Sequence, residues 1–165
     1  MILGMSTPTF TLVHVILSLL GIFFGVVVLF GLLSSRKLSG VTVLFLATTI
    51  ATSATGFLFH SASFGAPHGV GVISLVVLAL ALFALYSRHL AGRWRWIYVA
   101  GAVLALYLNV FVGVVQAFQK LPFLHQLAPT QTEAPFAVAQ LVVLAIFIAL
   151  GIVAAKRFHP MQSPI

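Results

Sequence analysis

The chain alternates between long apolar runs and short polar segments. Most of these runs are about 20 residues or longer, which is the length a helix needs to cross a hydrocarbon core of roughly 30 Å. They cover residues 9–33, 40–60, 69–86, 97–119 and 136–155. None alternates with the period of two expected of a barrel strand. The pattern therefore predicts an all-α fold, an integral membrane bundle of five transmembrane helices, with residues 1–165 as one domain.

The basic residues predict how the bundle is oriented. Seven of the eight lie in segments that this topology places on one side of the membrane: Arg36, Lys37, Arg88, Arg93, Arg95, Lys156 and Arg157. Lys120 alone falls on the other side. Basic residues collect on the cytoplasmic side of membrane proteins, so we expect the N-terminus outside and the C-terminus in the cytoplasm. This asymmetry predicts a multi-pass membrane protein whose basic loops lie in the cytoplasm.

The composition excludes several kinds of partner and several kinds of catalytic or cofactor site. The chain is 62% hydrophobic and 5% charged, with a net charge of +7. We interpret the positive charge as a topology signal and a contact with the lipid bilayer, because no basic helix or aromatic platform indicates nucleic acid. The absence of cysteine excludes disulfides, iron–sulfur clusters and covalently attached haem. A single acid, Glu133, excludes paired-carboxylate hydrolysis.

Polar side chains within the spans concentrate toward the predicted outer face. They include His14, His60, His68, Asn109, Gln116 and Gln140. Helical spacing puts His14, Ser18, Gly21 and Gly25 on one face of the first span, and Asn109 shares a face of the fourth span with Gln116. Lipid cannot satisfy such groups, so they should face the bundle interior or a wet cavity. The pattern predicts a polar pocket that opens outward.

Histidines in such a pocket suggest a cofactor. We expect His14 and His68 to be axial ligands of one haem b, with His60 as an alternate. The three histidines could instead hold a single transition metal ion. Asn109 and Gln116 would line the pocket in either case.

Each of these residues also has a structural interpretation. His14 could be a packing histidine bonded to a neighbouring carbonyl or threonine, whereas His60 and His68 could be interfacial residues. Asn109, Gln116 and Gln140 could be hydrogen-bond partners between helices. The remaining histidines, at 89, 125 and 159, lie in loops or beside basic residues.

Two stretches carry a resemblance to known proteins. The segments TSATGFLFH…PHGVGVISL and LYLNVFVGVVQAFQKLPFLHQLAPTQTEAPF resemble uncharacterised multi-pass inner-membrane proteins of bacteria, which have no assigned activity to transfer. The chain is also loosely similar to small b-type cytochromes, in which Thr-Gly and histidine recur on neighbouring helices. The first resemblance implies a location in the bacterial inner membrane. The chain departs from the b-type cytochromes, because His14 and His68 do not give two histidine pairs at two depths, so it supports at most one haem, on the outer side.

These observations leave three functional hypotheses. The first is a redox-associated protein that binds haem b or a metal ion and exchanges electrons with a quinone or a periplasmic redox partner. The second is a cofactor-free accessory subunit of a larger membrane complex or homo-oligomer. The third is a small transporter or channel subunit with a polar outer vestibule. The sequence leaves open whether the protein is an enzyme.

Overall fold

The computed structural model describes residues 2, 4–59 and 65–160, and in them the chain is helical. Five helices in this part of the chain are long and apolar enough to cross a membrane. The elements in chain order are α1 (Thr7–Leu33), α2 (Ser39–Gly56), α3 (Ala66–Leu82) with a π-helical turn (Phe83–Ser87), α4 (Trp94–Lys120), the short α5 (Pro122–Leu127) and α6 (Ala134–Arg157). The predicted five-helix membrane fold is thereby confirmed.

Local sequence explains where the helices begin. Ser6 caps α1 by accepting a hydrogen bond from the backbone N–H of Thr9, and Pro8 occupies the first turn. Prolines also occupy the first turns of α3 and α6, where a missing N–H costs nothing. The ends were harder to predict, because α2 stops at Gly56, four residues earlier than the hydropathy pattern indicated.

The helix α4 lies at the centre of the bundle. It packs against α1, α3 and α6, while α2 packs against α1 and α3. The segments that carry most of the basic residues meet at one end, which we call the basic end. There the Arg95 guanidinium donates a hydrogen bond to the Phe158 carbonyl at 2.6 Å, and the His159 N–H donates to the Ser35 hydroxyl at 2.8 Å. We call the other end the polar end.

The tightly packed core occupies the half of the bundle nearest the basic end. Its largest members are almost fully excluded from the surface: Phe45, Leu78, Val99, Leu106 and Phe158. Apolar side chains can fill this half because the backbone N–H and C=O groups of each helix are hydrogen-bonded to one another. The polar residues therefore collect in the other half, where the candidate site lies.

Candidate functional site

A line of polar contacts joins α1, α2 and α4, and we call it the polar seam. It consists of His14, Gly21, Thr49, Thr55 and Asn109. The Asn109 amide donates a hydrogen bond from Nδ2 to the Thr49 hydroxyl at 3.2 Å. Nearer the polar end, His14 Nδ1 lies 2.8 Å from the Thr55 hydroxyl. The seam thus links each of these helices to another through a direct side-chain bond.

The bond between His14 and Thr55 fixes the state of the imidazole. The Thr55 hydroxyl donates its own proton to the carbonyl of Ala51, at 2.7 Å. With that proton committed, Thr55 Oγ1 acts as an acceptor, so His14 donates from Nδ1. The lone pair of the neutral ring then lies on Nε2. A histidine that binds a metal, or accepts a hydrogen bond, through Nε2 needs a partner of this kind at Nδ1.

His14 and His68 approach the end of α2 through different residues. The His14 ring meets the Phe59 ring edge-on, with centroids 5.1 Å apart. The His68 ring leans on Phe57 at 5.8 Å, and its Nδ1 accepts a hydrogen bond from the Gly65 N–H. Since α1 and α3 are not packed as a helix pair in the described part of the chain, the structure does not bring these two rings together directly.

The third histidine of the predicted site is the one at position 60. His60 lies outside the described residues, as do residues 61–64. Within the described ranges, no three histidine, cysteine, aspartate or glutamate side chains are grouped as a metal site would need. The ligand roles of His14, His60 and His68 therefore stay predictions.

The glycine face of α1 shows whether a porphyrin fits beside Gly21 and Gly25. A Cβ placed on Gly21 would lie 3.0 Å from Asn109 Nδ2 and 3.2 Å from Thr49 Oγ1. On Gly25 it would lie 2.6 Å from Leu106 Cδ1 and 2.8 Å from a ring carbon of Phe45. The space at both glycines is filled by side chains of α2 and α4, so a porphyrin does not fit along this face. The close approach at both glycines is thus made by neighbouring helices.

The predicted pocket-lining residues separate in the structure. Asn109 is half-buried in the polar seam, whereas Gln116 lies on the exposed surface of α4. Gln140 instead joins α6 to α4, because its Nε2 donates to the Phe111 carbonyl at 3.2 Å. A further polar bond, from Ser53 to Ser74 at 3.0 Å, joins α2 to α3 and is buried. These contacts match the interpretation of in-membrane polar residues as links between helices.

The connection from α4 to α6 is organised by Glu133, the residue before α6. Its carboxylate accepts hydrogen bonds from the Thr130 hydroxyl at 2.9 Å and from the Thr132 N–H at 3.0 Å. Desolvation raises the pKa of this carboxyl, but the hydrogen bonds from Thr130, from Thr132 and from the backbone of Glu133 itself together outweigh it and hold the pKa of Glu133 below its ordinary value. Glu133 thus acts as a structural anion at neutral pH.

Sequence reasoning missed the partners that make the seam. Thr48 and Thr55 of α2 donate their hydroxyl protons to carbonyls one turn earlier. The helical periodicity puts Thr49 and Thr55 on two adjacent polar faces of α2. It did not indicate that Thr55 would accept from His14 and Thr49 from Asn109, because helix rotation is set by contacts between distant segments.

Comparison with protein-family models, with curated proteins and with solved structures finds no match to this chain.

The state of His14 can be measured directly. In histidine-labelled protein at pH 7.5, long-range ¹H–¹⁵N spectra should show His14 with the proton on Nδ1. Thr55→Val removes the acceptor and should shift the ring toward a mixture of tautomers. Thr48→Val is the matched control, because Thr48 lies about two helical turns from Thr55 and its hydroxyl bonds the Leu44 carbonyl one turn earlier. A wild-type ring protonated on Nε2 would contradict the assignment.

Proposed function

We propose that the chain is a cofactor-free helical subunit that assembles with another membrane protein or with further copies of itself. The observation that carries this proposal is that polar residues within the spans form hydrogen bonds to other helices. His14, Asn109 and Gln140 are each engaged in a hydrogen bond to another helix. Such bonds are worth about 0.6–2 kcal/mol each in a membrane, and they fix the rotation and register of helices that apolar packing alone would leave adjustable.

The close packing at the glycines supports the same proposal. Gly21 and Gly25 let α2 and α4 approach α1 closely enough that their side chains fill the space above the backbone. Small residues serve this purpose at helix contacts in membranes, where dispersion and hydrogen bonding replace the hydrophobic drive. The polar seam is therefore a structural device that holds one rigid bundle.

A surface for assembly is available on α6. Ala154 is the buried residue of this helix, which otherwise lies at the edge of the bundle. The side turned away from α4 carries exposed residues, which we call the outer face of α6: Val138, Val142, Ala145, Ile146, Ala149 and Val153. Ala145 and Ala149 are one turn apart, a spacing of small residues that permits close contact between membrane helices.

Cysteine crosslinking tests the assembly part of the proposal, because the native chain contains no cysteine. Val142→Cys places one thiol on the outer face of α6, where Val142 is 52% exposed. Val76→Cys is the matched control on α3, at 55% exposure. In native membranes a short bismaleimide should convert the Val142 variant to one discrete species of higher mass and leave the Val76 variant monomeric. Monomers from both variants would contradict assembly between copies of the chain through this face.

Absorption spectroscopy and metal analysis test the cofactor-free part. Protein purified in detergent from haem-supplied cells should show no Soret band before or after dithionite, and far less than one transition metal ion per chain. A Soret band, or a stoichiometric metal, that is lost in His14→Ala would overturn the proposal.

One observation favours the redox function as the second candidate. The bond to Thr55 leaves the lone pair of His14 on Nε2, which is the arrangement of a metal-bound histidine. His14, His60 and His68 would then hold a metal ion, or the iron of a haem placed beyond the glycine face toward the polar end. The bound group would supply one-electron exchange with a quinone or a partner protein.

A further inference from the structure

An apolar groove runs between α4 and α6 in the half of the bundle nearest the basic end. Its volume is about 470 Å³. Aliphatic and aromatic side chains line its walls, and Trp96 and Lys156 lie at its mouth. It is separate from the polar seam, which lies between α1, α2 and α4, and from the outer face of α6.

The length of the groove matches one leaflet of a bilayer. On α4 its wall extends from Trp96 to Tyr107, and at 1.5 Å per residue this is about 16 Å. Half of a hydrocarbon core of roughly 30 Å is about 15 Å. At the inner end, the rings of Tyr107 and Phe147 meet with centroids 5.7 Å apart, and the lining ends within one helical turn of them, at Leu144. A transmembrane helix of a second copy would need a contact that continues through the other leaflet, whereas one acyl chain would not.

The mouth of the groove is positively charged. Lys156 lines it, and the Arg95 guanidinium lies 5.2 Å from the centre of the Trp96 ring. The only acidic side chain in the sequence, Glu133, precedes the first residue of α6 and is thus at the far end of that helix. No acid of the described chain neutralises these cations, and a lipid phosphate at the head-group level would do so.

We infer that this groove binds one acyl chain of an anionic phospholipid, whose phosphate lies beside Lys156 and Arg95. The walls contribute dispersion contacts along the chain. The two cations contribute selectivity for a negatively charged head group over a zwitterionic one. The inference is independent of the proposed assembly function, because it concerns a different face of α6.

Native mass spectrometry in detergent tests the inference with two probes that share the same acyl chains, phosphatidylglycerol and phosphatidylcholine. The wild-type chain should retain one phosphatidylglycerol in preference to phosphatidylcholine. Lys156→Gln should reduce that preference about fivefold, the effect of one lysine near a charged lipid surface.

Variants that fill the groove should abolish retention of both lipids. Ala100→Leu extends from an exposed position on the α4 wall and leaves the packed core untouched. Gly151→Leu fills the α6 wall, where a Cβ would lie 3.3 Å from Val103 Cγ1. Ala79→Leu is the matched control at an exposed alanine of α3 and should retain lipid as the wild type does. Ala100→Leu keeps the test decisive if Gly151→Leu does not fold.

Three results would overturn the inference. The first is equal retention of phosphatidylglycerol by the wild type and both groove variants. The second is a wild-type chain with no preference between the two lipids. The third is a lipid-free wild-type dimer that Ala100→Leu converts to monomers, which would identify the groove as a contact between copies of the chain.

Discussion

Gly25→Ala is expected to lower the free energy of unfolding by about 1–3 kcal/mol, the usual cost of extra volume in a packed core. The new Cβ would lie 2.6 Å from Leu106 Cδ1 and 2.8 Å from Phe45 Cε2. Both neighbours are 1% exposed, so neither side chain can move aside into open space. Gly25→Leu should prevent the bundle from closing and yield no folded protein.

Gly113→Ala is the control for this prediction. A Cβ at Gly113 would lie 3.6 Å from Ile22 Cδ1, an ordinary contact distance. Alanine also favours the helix over glycine by about 1 kcal/mol, so this variant should be neutral or slightly stabilised. Equilibrium unfolding in mixed detergent micelles compares the two. Equal stabilities for the alanine variants at 25 and 113 would show that α1 does not pack as described.

Arg95→Met is expected to lower the free energy of unfolding by about 1.5–3 kcal/mol, the value of a hydrogen bond to a charged group. Arg95 donates to the Phe158 carbonyl at 2.6 Å, just beyond the end of α6. Methionine keeps most of the apolar stem but removes the donor, so the segment after α6 should detach from α4. Phe158, now 1% exposed, should then become accessible.

Thiol labelling measures this detachment in a chain that has no other cysteine. Phe158→Cys should react slowly with a maleimide in the otherwise native protein, because this position is 1% exposed, and several-fold faster when Arg95→Met is added. Arg93→Met serves as the control, because Arg93 is exposed and makes no side-chain cap for α4. A labelling rate unaffected by Arg95→Met would mean that the bond from the His159 N–H to the Ser35 hydroxyl holds the segment alone.

Much of the fold was predictable because the membrane imposes a strong rule on sequence. A span must be apolar for about 20 residues, and hydropathy therefore located all five helices. Their ends were less predictable. The turn after Gly56 and the short helix from Pro122 to Leu127 depend on local contacts that leave no hydropathy signal.

For the candidate site, the sequence predicted only which helix, and which face of that helix, carries each residue. Spacing put His14 and Asn109 on inward faces, and the structure joins both to threonines of α2. Spacing also put Gln116 on the face of Asn109, but the structure exposes it. Seven residues along a helix correspond to nearly two full turns, so small changes in rotation and crossing angle decide whether the second residue reaches the interior.

The groove between α4 and α6 had no signal in the sequence. Leucine, isoleucine and phenylalanine suit a lipid-facing surface and a protein-facing surface equally well, since lipid tails are as apolar as these side chains. The packing of two distant segments brings Tyr107 and Phe147 together, and only this packing shows that the groove ends near mid-depth.

The composition of α2 has a consequence for how the chain enters the membrane during synthesis. This helix has the lowest mean hydropathy of the five spans, because it is rich in threonine and serine. Some of these residues form hydrogen bonds to α1, α3 and α4. Polar residues weaken the partitioning of a lone helix from the translocon into lipid. We therefore expect α2 to leave the translocon together with α1, as a helical hairpin whose glycine face already shields the threonines before α4 is made.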